Sequence, residues 1–475
     1  MKGVGVLAKM ATGIVSRRIV GIANQSITPE VASTLGAALG THLGANSVVV
    51  SCRDFRADSR MVKRAFASGL MSTGVDVLDL HAACMPVLQF ALKRFGGSAA
   101  VSFCAEHYRS EAVRLRIFES NGPEIGPDNI AGLTSGIPNE ENLQRVSTDQ
   151  IGRILVTENT ERIYRSALLN FVHRAQIMER HFKVVIDCAL GASSLLFPSV
   201  LSDLGVQVVT LNAYAPTHVP ETLPNPSSLA TLEKTVLATS ADLGVALDVE
   251  GGRMVLIDET GSIVLPDITA ALYIAERCRT HPKGGTAVIT ETTSNAIHEK
   301  INESCIERVW SAHPGAVARK IRDSRAFAGA TDKGQLFFPS FIPESDAFLS
   351  VLWILEFLAK NETSLSEALT PVTANTPAAT KETMTTQRNL GETLQKIYGF
   401  CNAPNQRNDI FAIDTLCGVK IVFLEETHPE RKQGWVHIHA GSRSNRAMMT
   451  IETKEGYSVN DLADQAIDLI HHATK

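Results

Sequence analysis

Hydrophobic and polar positions fall in blocks along this chain, and the blocks predict alternating strands and helices. The clearest is Leu243–Leu247, an unbroken apolar run. A second run follows at Met254–Asp258, with a turn at Glu259-Thr260-Gly261. Toward the N-terminus, Thr28 caps a helix that opens with Pro29 and Glu30. Strands are expected at Ser47–Ser51, Val75–Leu80, Ser98–Phe103 and, by strict alternation, Val113–Glu119. Helices are expected at Met61–Thr73 and Pro86–Phe95, and Asn121-Gly122 marks a turn. The pattern resumes with a helix at Thr160–Ala175, strands at Phe182–Asp187 and Val206–Leu211, and a helix at Leu229–Thr239. It continues through Leu265–Arg279, Thr286–Thr290, Ser294–Glu303 and Ala316–Asp323 to the core helix Phe348–Ala359. Strands at Leu416–Leu424, Trp435–His439 and Ala447–Thr453 and a helix at Val459–His471 close the chain. Met1–Ile19 is weakly patterned and reads as peripheral. Gly136–Val156 reads as a linker, and the Thr-, Ala- and Pro-rich Pro371–Thr385 as a hinge. Repeated β/α alternation argues for sheets covered by helices.

Length and charge narrow the picture. At 475 residues the chain exceeds one hydrophobic core and implies several domains. A net charge of −5 gives no electrostatic reason to expect nucleic acid or an anionic membrane. Phe348–Ala359 is too short to span a bilayer and carries Ser350 and Glu356, and Met1–Gly13 lacks a signal-peptide pattern. The eight cysteines form no CxxC pair and read as reduced thiols of a cytoplasmic protein.

Chemistry concentrates between the two clearest strands, in Asp248-Val249-Glu250-Gly251-Gly252-Arg253. Carboxylates alternating in a tight loop at a strand end suit a hard cation such as Mg²⁺. The plain alternative is a polar turn. This loop resembles the metal loop of the α-D-phosphohexomutases, the phosphomannomutase/phosphoglucomutase family, whose pattern is Asp-Gly-Asp-X-Asp-Arg. Asp248 and Arg253 match, Glu250 is a longer carboxylate at the second ligand position, and Gly252 replaces the third ligand. The resemblance therefore implies a metal site of Asp248 and Glu250 that holds Mg²⁺ weakly or not at all.

The likeness runs from about Ile19 to His471. Cys52-Arg53-Asp54-Phe55-Arg56 matches Gly-Arg-Asp-Thr-Arg, and reads as a structural ion-pair network. The family's catalytic Thr-Ala-Ser-His-Asn-Pro becomes Cys104-Ala105-Glu106-His107-Tyr108-Arg109, with Glu106 at the phosphoserine position. Glu106 mimics the charge of a phosphoserine but is a poor carrier, because its acyl phosphate is labile. The resemblance gives Glu106, His107 and Arg253 the catalytic positions. Ser102 and Ser110 are nearby hydroxyls off that position. Val20 stands where the family has an N-terminal arginine. Ala189–Ser194 is a small-residue turn that either cradles phosphate or packs closely. Ala330–Gln335 replaces the sugar-reading Gly-Glu-X-Ser-Gly-His and keeps only Gly334. His439–Arg446 replaces the phosphate-binding Arg-Pro-Ser-Gly-Thr-Glu-Pro. Ser442, Arg443, Ser444 and Arg446 remain there as phosphate-binding candidates, against the alternative of a basic surface loop.

The resemblance implies four domains around a central cleft, three similar α/β domains and a smaller C-terminal α+β domain. Their expected bounds are 1–150, 151–258, 259–372 and 380–475. It implies a homologue with altered catalytic motifs that binds a phosphosugar or other small phosphorylated ligand. Similar altered loops occur in mutase-like modules of mannose-1-phosphate guanylyltransferases, which makes a sugar-nucleotidyltransferase a candidate partner. An oligomer is compatible with this reading. The alternative is a divergent active mutase interconverting hexose 1- and 6-phosphates.

Overall fold

The computed structural model describes residues 14–15, 18–106, 109–135, 142–157, 159–214, 224, 226–281, 285–290, 293, 306–309, 315–373, 378–384, 390–402, 409–415, 418–425, 432–440, 446–453 and 457–474. Four sheets follow one another along the chain. The first holds β1 (Ile14–Val15), β2 (Arg18–Ile22), β3 (Val48–Arg53), β4 (Asp76–Ala82), β5 (Ala99–Glu106), β6 (Arg109–Glu119) and β7 (Ile154–Val156), in the order β1-β2-β6-β5-β3-β4-β7. β3, β4, β5 and β7 run parallel, while β6, β2 and β1 add an antiparallel flank. Thr28 caps helix Pro29–Leu43 as expected, accepting from the Val31 N–H. That helix crosses Ala57–Met71 at two glycines. A Cβ on Gly36 would sit 2.1 Å from the Phe66 carbonyl oxygen, and one on Gly69 1.9 Å from that of Ser33.

The second sheet holds β8 (Lys183–Asp187), β9 (Gln207–Leu211), β10 (Leu243–Leu247), β11 (Met254–Asp258) and β12 (Ile263–Val264), in the order β12-β11-β10-β8-β9. The third holds β13 (Ala287–Thr290), β14 (Ile306–Val309), β15 (Ala328–Ala330) and β16 (Leu336–Phe337), in the order β14-β13-β15-β16. The fourth is wholly antiparallel: β17 (Ala378–Met384), β18 (Ile410–Thr415), β19 (Gly418–Leu424), β20 (Lys432–Ala440) and β21 (Arg446–Thr453), in the order β17-β21-β20-β19-β18.

One apolar core joins the second and third sheets to the underside of the first, around helix Ala347–Asn361. That helix is buried on most of its circumference, which explains its nearly continuous apolar sequence. Its N-cap, Asp346, accepts from the Phe348 and Leu349 N–H groups and from the Tyr164 hydroxyl. Among the described residues no helix is long and apolar enough to cross a membrane.

Several expectations need correction. The stretch read as a linker supplies β7, because β4 has a free parallel edge that Ile154–Val156 fills. The stretch read as a hinge ends helix Leu365–Thr373 and then forms β17, paired along its whole length with β21. Its Thr residues suit a strand once a distant partner is present. Arg18 and Ile19, the end of the stretch read as peripheral, open β2, which pairs with β6 and buries Ile19 and Val20. The helix expected at Ser294–Glu303 lies outside the described residues.

Candidate active site

The strand expected to end at Phe103 runs on to Glu106, and β6 begins at Arg109. Glu106 pairs with Arg109, so the catalytic-loop position is the tip of an antiparallel hairpin. His107 lies outside the described residues. Asp54 pins the hairpin to β3: its carboxylate accepts from the Ala105 N–H at 2.9 Å and the Arg56 N–H at 3.0 Å. Arg56 pairs with Asp58 and donates to the Ala112 carbonyl at 3.2 Å. The Arg53–Arg56 segment is thus engaged in scaffolding, as its charges suggested.

The strand alternation that predicted β6 leaves Arg114 and Arg116 on its polar face. That face is buried, because chain from three sheets closes over it. Arg116 donates to Glu124 at 2.8 and 3.0 Å and to Glu250 at 2.9 Å. Arg114 reaches Glu124 at 3.3 Å and lies 3.7 Å from Glu106. The Cys104 thiol donates to the other oxygen of Glu250 at 3.2 Å. Burial and the Glu250 charge push this thiol well above its ordinary range, so it remains a donor. Burial alone would weaken both guanidinium charges, but the surrounding carboxylates outweigh it and raise both arginines. Glu344 approaches the same cluster and is pushed up to about 7 by burial, against the pull of Arg116.

The metal loop is equally occupied from within. One oxygen of Asp248 accepts from the Gly252 and Arg253 N–H groups at 2.9 and 3.2 Å. Its other oxygen lies 3.9 Å from the Arg253 guanidinium. Burial pushes Asp248 up, with Arg253 opposing. Gly251 sits at φ 71°, a turn conformation that favours glycine. The Glu250 and Gly251 carbonyls accept from the Met85 and Ala347 N–H groups at two helix starts. Mg²⁺ requires several oxygen ligands in near-octahedral array. Here Glu250 gives both oxygens to Arg116 and Cys104, and Gly252 has none to offer. Among the described residues no group of three or more His, Cys, Asp or Glu side chains is arranged to hold a metal ion. These residues do not fit Mg²⁺.

The remaining motifs divide clearly. Val20 is buried in β2 directly opposite Arg114, so the guanidinium absent at position 20 has a counterpart on the neighbouring strand. In the small-residue turn, a Cβ on Gly191 would come within 2.4 Å of the Val249 carbonyl oxygen, which favours close packing over a phosphate cradle. In the Ala330–Gln335 loop, Thr331 and Gln335 bond each other and Gln335 donates to Ser345 at 3.1 Å. Ser442, Arg443 and Ser444 lie outside the described residues, and Arg446 begins β21 opposite Met384. The sequence reading missed Arg114, Arg116, Glu124 and Cys104. Two arginines on one strand face beside a carboxylate loop were the available signal, had both sheet faces been taken as covered.

Comparison with known proteins agrees with this architecture. Residues 16–144 match the family model of phosphoglucomutase/phosphomannomutase α/β/α domain I, and residues 162–261 that of domain II. A Thermococcus kodakarensis phosphoglucomutase/phosphomannomutase is 30% identical over 463 residues, covering 96% of this chain and 97% of its own. A Methanopyrus kandleri protein named a probable phosphoglucosamine mutase is 28% identical over 96% of this chain and 97% of its own. A solved Burkholderia thailandensis phosphoglucomutase/phosphomannomutase family protein shares the fold at TM-score 0.71, with 19% identity and 98% of each chain covered. A Thermus thermophilus protein titled a putative phosphomannomutase does so at TM-score 0.70, with 18% identity over 96% of this chain and 98% of its own. With the sheet order, the hairpin and the Asp248–Arg253 loop all in place, the chain belongs to the α-D-phosphohexomutase family of phosphoglucomutases and phosphomannomutases.

Proposed function

We propose that this family member binds a phosphorylated sugar and acts as a regulatory or partner protein in sugar-nucleotide and carbohydrate metabolism, without running a magnesium-dependent phosphoserine reaction. One observation carries the reading: the Arg116 guanidinium lies between Glu124 and Glu250, so the carboxylate at the second ligand position already has its cation. Phosphoryl transfer rests on positioning and on stabilising developing charge. A carboxylate at position 106 supplies no stable carrier hydroxyl, and Arg114 already faces it. The basic, hydroxyl-bearing Ser442–Arg446 segment is the phosphate-binding candidate, and a sugar-nucleotidyltransferase is the candidate partner.

The test is a pair of measurements on the full chain with glucose, mannose and glucosamine phosphates. Calorimetry is expected to detect binding that chelator leaves unchanged. Coupled assays are expected to detect no interconversion of 1- and 6-phosphates. Robust turnover abolished by chelator would overturn the proposal. It would instead support a divergent active mutase, a reading favoured by the 30% identity to a protein named as a mutase along nearly the whole chain.

A further inference from the structure

The fourth sheet has an unusual division of faces. On one side Val419, Ile421, Phe423, Val436, Ile438, Met449 and Ile451 pack against helices Leu390–Cys401 and Val459–Thr474. The register puts Lys420 opposite His437 and Val422 opposite Trp435, and continues to Thr450 and Glu452, so these six share the other side. An antiparallel sheet with one face on its own core ordinarily turns such polar residues to water. Here all six are buried, Lys420 completely and Glu452 to within 2%.

What covers this face is the third domain. Lys420 Nζ lies 3.0 Å from Asp267, in the first turn of helix Pro266–Thr280. It lies 3.5 Å from Asp332, in the loop between β15 and β16. Its third neighbour is the Trp435 ring, with the centroid at 3.6 Å. A desolvated ammonium over an indole face is a strong form of this contact. Asp332 is fixed from its own side as well, accepting from the Thr290 hydroxyl at 3.0 Å.

We propose that Lys420 is an interdomain clasp. It seats the fourth domain on the third and holds the Ala330–Gln335 loop, through Asp332, against the fourth sheet. That loop stands at the family's sugar-reading position. While the clasp is closed, Asp332 is committed to Lys420 and Thr290, and a hexose can recruit its carboxylate only if the two domains part. A buried ion pair is weak as a source of stability but effective in fixing one arrangement, since any other leaves a charge without its partner. A single ammonium on a flexible stem can also be withdrawn as a unit when the domains separate. The clasp rests on these contacts alone and stands whether or not the chain catalyses.

Trp435 reports the state of the clasp, because separation uncovers it. In full-length W310F/W353F protein, the remaining Trp435 is expected to resist acrylamide and to emit in the blue. Lys420→Met is expected to raise its quenching constant at least about threefold and to red-shift its emission, with far-UV circular dichroism retained. Asp332→Asn, which leaves Lys420 and Asp267 in place, is expected to move both readings the same way by a smaller amount. It provides the second reading should Lys420→Met fail to fold. Unchanged quenching in either folded variant, or a Trp435 already open to acrylamide before substitution, would overturn the proposal.

Discussion

Two buried charge clusters organise this molecule, and they are built differently. At the candidate active site two arginines face Glu106, Glu124 and Glu250, and each of them pairs with carboxylates from two separate segments. Between the fourth sheet, helix Pro266–Thr280 and the β15–β16 loop, one lysine faces Asp267 and Asp332. A guanidinium is a planar fork whose donors fix the angle as well as the distance of each partner. An ammonium fixes little beyond distance. The arginine cluster therefore ties β6 to the Asp248–Arg253 loop in one geometry, whereas the lysine contact of the proposed clasp is one that can be made and unmade. Burial alone does not reveal whether a charge network is a weld or a latch. The donor chemistry does.

The comparison breaks most visibly at Arg116. Arg116→Met leaves Glu124 and Glu250 buried without their shared cation and is expected to cost about 3–5 kcal/mol of unfolding free energy in urea titrations. Adding Glu124→Leu and Glu250→Met should return much of that loss, because an apolar set of similar volume has no charge to desolvate. If the single variant is as stable as the parent, the cluster is not the weld described.

Acidity probes both clusters together. Burial holds Glu344 and Asp267 at about 7, and Asp346 at about 6. All three lie above the ordinary carboxylate value, so between pH ~4 and ~7 the folded chain keeps protons that the unfolded chain has released. Stability from these groups is therefore greatest at the acid end of that window and is lost as pH rises through 7. Unfolding is expected to need more urea at pH 5 than at pH 8, with most of the difference carried by Glu344 and Asp267. Carboxylates held low, such as Asp76 beside Arg153, act below this window. A flat profile from pH 5 to 8 would mean that Glu344 and Asp267 are not proton-bearing in the folded state.

The smallest effect is expected at Cys104. Cys104→Ala removes one donor from Glu250 and leaves Arg116 in place, a loss of about 1 kcal/mol. The native thiol should also resist Ellman's reagent until the protein unfolds, because it is buried and protonated.

How much the sequence disclosed varies with how local each feature is. Leu243–Leu247 and Met254–Asp258 were legible to the residue, because each is a closed apolar run bounded by loop residues. The Asp248–Arg253 loop between them was legible as a site position for the same reason. Cys104-Ala105-Glu106 looked like loop, since nothing near it in sequence announces that Arg114, Val113 and Arg109 would pair with it. Arg114 and Arg116 carried the signature of a solvent face. Their burial depends on Glu250, more than a hundred residues away, and on Glu344, farther still. The Thr-rich stretch before the last domain looked like a hinge because its partner, β21, is equally remote.

The pairing of Val20 with Arg114 has a directional consequence. An arginine restored at position 20 would meet Arg114 across the strand pair, like charge against like, in a place that water does not reach. A serine restored at 106 would remove the carboxylate that Arg114 faces. An aspartate at 252 would add a third anion beside Asp248 and Glu250, while Glu250 stays committed to a guanidinium. Each replacement toward the family pattern at these three positions is therefore uphill when taken alone. Only concerted replacement would bring this interlocked cluster to the family pattern.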